Sequence, residues 1–145
     1  MSFEIDSRLD KDSIKVGSFE LCQLLLMNDR QYPWFVLVPK RENISEIYQL
    51  SNSDQQSLWN ESRILSKLIM NIFNGDKLNT AAIGNIVNQL HLHHVVRYKS
   101  DPCWPNPIWG QLPMKPYKDN QIDEILARLK GTLNETGFSF TRLMS

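Results

Sequence analysis

The sequence is poor in cysteine, in histidine and in long apolar runs, and it has no excess of either charge. Its two cysteines, Cys22 and Cys103, are far apart and form no Cys-x-x-Cys pair. They read as two free thiols in a reducing cytoplasm, and the expected localisation is cytoplasmic. No apolar stretch approaches the ~20 residues of a membrane span, so no membrane association is expected. The first twelve residues, MSFEIDSRLDKD, mix acidic and basic groups without an apolar stretch behind them, unlike a secretory signal. Lys and Arg number 16, as do Asp and Glu, for a net charge of zero. That balance argues against nonspecific binding to a nucleic-acid polymer, which needs a basic surplus. It leaves room for a small phosphate-bearing ligand, because a pocket needs only a few donors. Internal repeats and low-complexity segments are also missing. The 145 residues fit a single domain with a sizeable core.

Hydrophobic patterning sets out the elements. Residues 19–27 (FELCQLLLM) read as a buried strand, 28–33 as a turn, and 34–39 (WFVLVP) as a second strand completing a hairpin. Residues 40–48 read as a connection with room for a short helical turn. Ser53-Asp54-Gln55-Gln56 has the spacing of a capping box. Leu58, Leu65, Leu68, Ile69 and Ile72 then recur at helical spacing, with Trp59, Ile64 and Phe73 widening the stripe. This predicts a helix over 54–73, stopped at Asn74-Gly75-Asp76. A strand is expected over 78–83, a turn at Gly84-Asn85, and a further strand over 89–97. Residues 101–110 (DPCWPNPIWG) are too broken by proline for a helix or a central strand. A last helix is expected over 120–130, with Ile122, Ile125, Leu126 and Leu129 on one face and Gly131 as its stop. The residues from Thr132 onward read as a loosely held tail. The expected fold is α+β: an antiparallel sheet, one long helix and a C-terminal helix, with the core at about 19–110 and the tail at 132–145.

All three histidines lie in Gln89-Leu90-His91-Leu92-His93-His94-Val95-Val96-Arg97. On a strand, Gln89, His91 and His93 share one face, while Leu90 and Leu92 point to the other. Three readings are open. His-x-His chelates Zn²⁺ or Fe²⁺, but such a site needs a third protein ligand, and no carboxylate stands at a suggestive spacing. Ordinary histidines on a half-exposed strand are the second reading. The third is nucleophilic catalysis at phosphorus. A neutral imidazole whose other N–H is held by an acceptor attacks a phosphoryl centre, and a second histidine steers or protonates the leaving oxygen.

This stretch resembles the signature of the histidine triad (HIT) superfamily, in which His, apolar, His, apolar, His and two apolar residues run along a strand. Gln89 falls at the first histidine position, His91 at the central one and His93 at the third. The likeness extends to Gly84-Asn85-Ile86-Val87, similar to the family's glycine-bearing turn. It also takes in Leu25-Leu26-Met27-Asn28 with Phe35-Val36-Leu37-Val38-Pro39-Lys40, similar to its N-terminal hairpin, and the helix over 54–73. It covers roughly residues 19–97. The segment DPCWPNPIWG is similar to a feature of a bacterial branch that carries glutamine first.

The resemblance implies a nucleotide hydrolase or nucleotidyl transferase acting at the α-phosphate through a covalent nucleotidyl-histidine intermediate. It makes His91 the nucleophile and places His93 on phosphate and the leaving-group side. Gln89 joins the catalytic set chiefly through its main-chain carbonyl, which would fix the tautomer of His91. Asn28, Asn79 and Asn85 are the candidate nucleotide-binding residues. No cofactor and no protein-bound metal are implied, and a homodimer is expected. Two departures matter: Gln89 cannot carry a proton charge, and Ile86 replaces a Ser or Thr that reaches phosphate in many members. They keep a second function class in view, a nucleotide-binding or protein-interaction module with little turnover. His94, at an inward position, reads as a partly buried, hydrogen-bonded ring. Trp104 and Trp109 read as packing over a sheet or subunit edge, with base stacking as the alternative. Asp29-Arg30 and Lys40-Arg41-Glu42 read as solvated charges, and Arg97 as either a phosphate ligand or a surface residue.

Overall fold

The computed structural model describes residues 3–133 and 138–141. In chain order these hold a short helix α1 (Ser7–Lys11), strands β1 (Ser13–Ser18), β2 (Cys22–Met27) and β3 (Trp34–Pro39), and a 3-10 turn (Ile47–Gln49). The long helix α2 (Asn52–Phe73), strands β4 (Lys77–Ala82) and β5 (Leu92–Arg97), helix α3 (Asp119–Leu133) and strand β6 (Ser139–Phe140) follow. The strands make one sheet in the order β4-β5-β3-β2-β1-β6, and every pairing is antiparallel. This is the α+β, HIT-like antiparallel sheet expected from the sequence. No helix among the described residues is long and apolar enough to cross a membrane.

Period-two alternation sorts the strand residues into two layers. Cys22, Leu24, Leu26, Phe35, Leu37, Leu92 and Val96 pack against the buried faces of α2 and α3, which supply Leu58, Leu65, Ile69, Leu126 and Leu129. Leu25, Met27, Trp34, Val36, Val38 and Val95 face the other way. There they meet Leu9 of α1, Cys103 and Ile108, with Phe3, Ile5, Trp109 and Met114 packed alongside. The second layer is built from loops and the short α1, and it carries the cleft that His91 and His93 line.

Local chemistry explains the element ends. The α2 cap is Ser51, whose side chain accepts from Asp54 N–H at 3.1 Å, so the helix starts before the expected Ser53 box. Ser51 holds the extended backbone a cap needs, which leaves Ser53 inside the first turn. At the other end Asn74 takes the left-handed conformation, with φ 50°, as the stop signal predicts. Gly75 follows because a Cβ there would sit 2.4 Å from Val96 Cγ1.

Four expectations are corrected. The strand expected from residue 19 is β2 and begins at Cys22, because Phe19 N–H closes a turn on the Cys22 carbonyl and the buried Glu61 carboxylate accepts from Leu21 and Cys22 N–H. The core reaches upstream of residue 19, through Leu9 and Val16. Helix α3 runs through Gly131 to Leu133, since buried Leu133 extends its apolar face. Within the expected tail, Phe138 is buried against Phe19 and β6 pairs with β1; residues 134–137 and 142–145 lie outside the described residues.

Candidate active site

The ladder around β5 ends at Leu92, which pairs with Ala82 on one side and Leu37 on the other. Residues 83–91 are therefore loop, and the strand expected from residue 89 starts three residues later. His91 sits at the loop's end and His93 on the strand, with ring centroids 4.8 Å apart and nearly perpendicular. Both line a cleft of about 500 Å³ on the loop-covered side of the sheet. Its apolar walls include Met27, Trp34, Val87, Trp109 and Met114, and Asn85 and Ile86 belong to its rim.

The two rings hold their protons in a defined arrangement. His91 Nδ1 lies 2.7 Å from the Gln89 carbonyl oxygen. A carbonyl only accepts, so Nδ1 carries a proton, and the tautomer this selects for the neutral ring has its lone pair on Nε2. Trp34 Nε1–H, which only donates, points at His93 Nδ1 at 3.0 Å. The His93 proton is therefore on Nε2. Burial, reinforced by the neighbouring His91 and His94, pushes the His93 pKa down to about 3, so this ring is neutral at physiological pH. Trp109 stands against it at 5.2 Å between ring centroids, and the buried Trp109 Nε1 has no hydrogen-bond partner among the described residues.

His94 points through the sheet to the other layer. Its Nδ1 donates to the Leu92 carbonyl at 3.0 Å and its Nε2 accepts from the Ser62 hydroxyl of α2 at 2.7 Å. Burial lowers its pKa to about 4 against the opposing pull of the Leu92 carbonyl. It is a fully buried, doubly hydrogen-bonded ring outside the cleft.

The structure brings His91, His93 and Asn85 to one cleft and leaves three other candidates elsewhere. The Gln89 side chain bonds to the backbone of Glu4 and Asp6; its carbonyl is the part that meets His91. Asn28 accepts from Tyr117 N–H, and Asn79 accepts from Arg97 Nη1. Both amide oxygens are thus engaged in holding the chain. Arg97 is neither a phosphate ligand nor a surface residue. It is buried in a bidentate pair with Asp101, 2.8 and 3.0 Å, with the Tyr32 and Trp104 rings alongside. Burial alone would raise the Asp101 pKa, but Arg97 and the N–H groups of Tyr98 and Cys103 hold it below the usual carboxylate range. Asp101 also accepts from Trp104 N–H, so one carboxylate organises the segment that delivers Trp109 to the cleft. Asp29, read as solvated, is buried and accepts from Gln31 and Lys115.

Sequence reasoning missed the contribution of α1, which lines the cleft with Arg8, Leu9, Lys11 and Asp12. A signal was present: Asp6 is a side-chain cap on Arg8 N–H at 2.9 Å. Five residues are too few to show helical periodicity. Among the described residues no group of three or more His, Cys, Asp or Glu side chains is placed to hold a metal ion.

A histidine whose Nδ1 is held by a main-chain carbonyl, a second, neutral histidine beside it and an apolar cleft over an antiparallel sheet define a histidine triad site. The HIT domain family matches residues 8–100, and the chain belongs to that family. The family generally binds nucleotides and acts on them. The chain is 48% identical to a histidine triad protein from Marinobacter aquaeolei, covering 94% of this chain and 99% of that one, with a TM-score of 0.90. It is 39% identical to a histidine triad protein from Sinorhizobium meliloti over 90% of this chain and 97% of that one, TM-score 0.88. A histidine triad protein from Bradyrhizobium japonicum is 34% identical over 91% and 98% of the two chains, TM-score 0.89. No curated protein matches.

Proposed function

We propose that this chain is a nucleotide hydrolase or nucleotidyl transferase that works at the α-phosphate through a covalent intermediate on His91. The observation that carries this reading is the 2.7 Å bond from His91 Nδ1 to the Gln89 carbonyl, which reserves Nδ1 for that acceptor and makes Nε2 the nucleophilic nitrogen of the neutral ring beside the cleft. The Nε2 lone pair attacks phosphorus, an N–P bond forms, and the bond to the leaving group breaks with its electron pair on the departing atom. Water then attacks phosphorus. The N–P bond breaks with its pair returning to Nε2, the water proton passes to solvent, and a nucleoside monophosphate is released. His93, neutral and protonated on Nε2, donates a hydrogen bond to the phosphoryl group. Asn85, at the cleft rim, is the remaining nucleotide-binding candidate.

A second reading is a nucleotide-binding module with little turnover. It is favoured by Ile86, which offers no hydroxyl at the rim. One experiment separates the two. The protein is mixed with a dinucleoside polyphosphate, quenched in base, and its intact mass measured. A nucleotidyl adduct mapped to His91 is the expected result. Turnover by a folded His91→Ala protein at the wild-type rate, or a nucleotide that binds without adduct or turnover, would overturn the hydrolase reading.

A further inference from the structure

Gln89 occupies the first position of the triad pattern, yet its side chain faces away from the cleft. Its Nε2 donates to the Glu4 carbonyl at 2.9 Å and its Oε1 accepts from Asp6 N–H at 2.8 Å. A primary amide presents donor and acceptor side by side, as a neighbouring strand does; the two nitrogens of an imidazole diverge. The amide therefore clips the N-terminal segment onto the loop that carries His91. Asp6 in turn caps α1, and Arg8 Nη1 donates to the Ile86 carbonyl of the same loop at 3.2 Å. Phe3, Ile5 and Leu9 seat the segment on the apolar layer beneath.

The clipped segment is one wall of the cleft. It brings two cations, Arg8 and Lys11, against the one carboxylate of Asp12. Neither cation is in an ion pair among the described residues. Cations on the wall suit phosphate oxygens, whose negative charge they pair with directly. The histidine pair adds an independent argument. With Nδ1 taken by Trp34, His93 holds a single N–H and is a poor proton donor. An amine leaves phosphorus only when protonated, whereas a phosphate leaves as a stable anion and needs no proton.

We infer that the N-terminal wall, held by Gln89, reads the leaving half of the substrate, and that Arg8 and Lys11 select leaving groups that carry their own negative charge, phosphate or polyphosphate, over neutral amines. This rests on the reading of His91 as nucleophile. When the P–O bond breaks, its electron pair stays on the departing phosphate oxygen, and the two cations neutralise the added charge. Gln89 is a positioning residue for that wall.

The test compares kcat/KM for a dinucleoside tetraphosphate and for a nucleoside 5′-phosphoramidate with a neutral amine. Wild type should prefer the first. Arg8→Ala with Lys11→Ala should lower the ratio of the two values tenfold or more, and Gln89→Ala should lower it in the same direction. A parallel calorimetric measurement compares binding of ADP and AMP; wild type should favour ADP, and the double variant should lose that preference. Turnover with an unchanged ratio in both variants overturns the wall and leaves the His91 reading intact. An ADP preference lost in the double variant, without turnover by wild type, supports the wall and sinks the nucleophile. Neither turnover nor an ADP preference overturns both.

Discussion

Trp34 and His93 are joined by a hydrogen bond from the indole N–H to the imidazole Nδ1, 3.0 Å long, between neighbouring strands β3 and β5. The donor has no alternative role, so the bond fixes the His93 tautomer. Trp34→Phe removes the donor and keeps most of the apolar volume. We expect a stability loss of roughly 1–3 kcal/mol, because a buried acceptor is left unmet. The fall in kcat should be a few-fold, as the ring divides between tautomers. Nitrogen-15 shifts of His93 would read the change directly. An unaltered tautomer in the variant would show that something other than Trp34 sets it.

His91 and Gln89 should separate sharply under mutation. His91→Ala removes the nitrogen proposed to bond phosphorus, and turnover should drop on the order of 10³-fold or more in a folded protein. Gln89→Ala keeps the carbonyl that accepts from His91 Nδ1 and loses only the clip on the N-terminal segment. Its cost should be far smaller. Steady-state rates for the two variants on one substrate decide the matter. Equal losses would mean that the amide of Gln89 takes part in the chemistry.

The contrast between these two residues also shows what the sequence could reveal. Alternation placed His91 and His93 together, because strand geometry is local and a period of two is short enough to read. The hairpin, α2 and the α3 face were legible for the same reason: each buries a regular stripe. What was not legible depends on partners distant in sequence. Gln89 turns away because Glu4 and Asp6, more than eighty residues upstream, present a matching donor and acceptor. Asn79 and Arg97 look like phosphate ligands until Asp101 folds back beside them. Helix α1 and strand β6 are too short to show a period, and they form because the sheet and its apolar layer receive them.

Acid should destabilise the protein in a defined window. His93 and His94 are held at about 3 and about 4 in the folded state, below the ordinary value of 6.5. Between pH 6.5 and those values the unfolded chain holds protons that the folded chain does not, so stability falls as pH falls. Each ring contributes a slope of up to about 1.4 kcal/mol per pH unit. Urea denaturation between pH 7.5 and 4.5 should therefore show stability level above about 6.5 and declining below it. His94→Val, which removes one titrating ring, should make the decline shallower. A flat profile down to pH 4.5 would mean that the folded protein protonates both rings without strain.

The last expectation concerns assembly. Strand β4 lies at one end of the sheet and pairs only with β5, so its outer backbone groups have no partner strand among the described residues. Five of its six residues are polar or alanine, and half are exposed, which makes a poor covering for an edge. An uncovered edge invites pairing with another strand, and the simplest closed solution is a two-fold contact between identical edges. Helix α2 supplies further material: Trp59 is 51% exposed there, a large apolar surface for a solvent-facing position. We propose a homodimer. Light scattering at micromolar concentration should give twice the 16.9 kDa of one chain. Trp59→Glu, which sets a charge on the α2 surface, should shift the mass toward one chain. A wild-type mass of 16.9 kDa would refute the dimer.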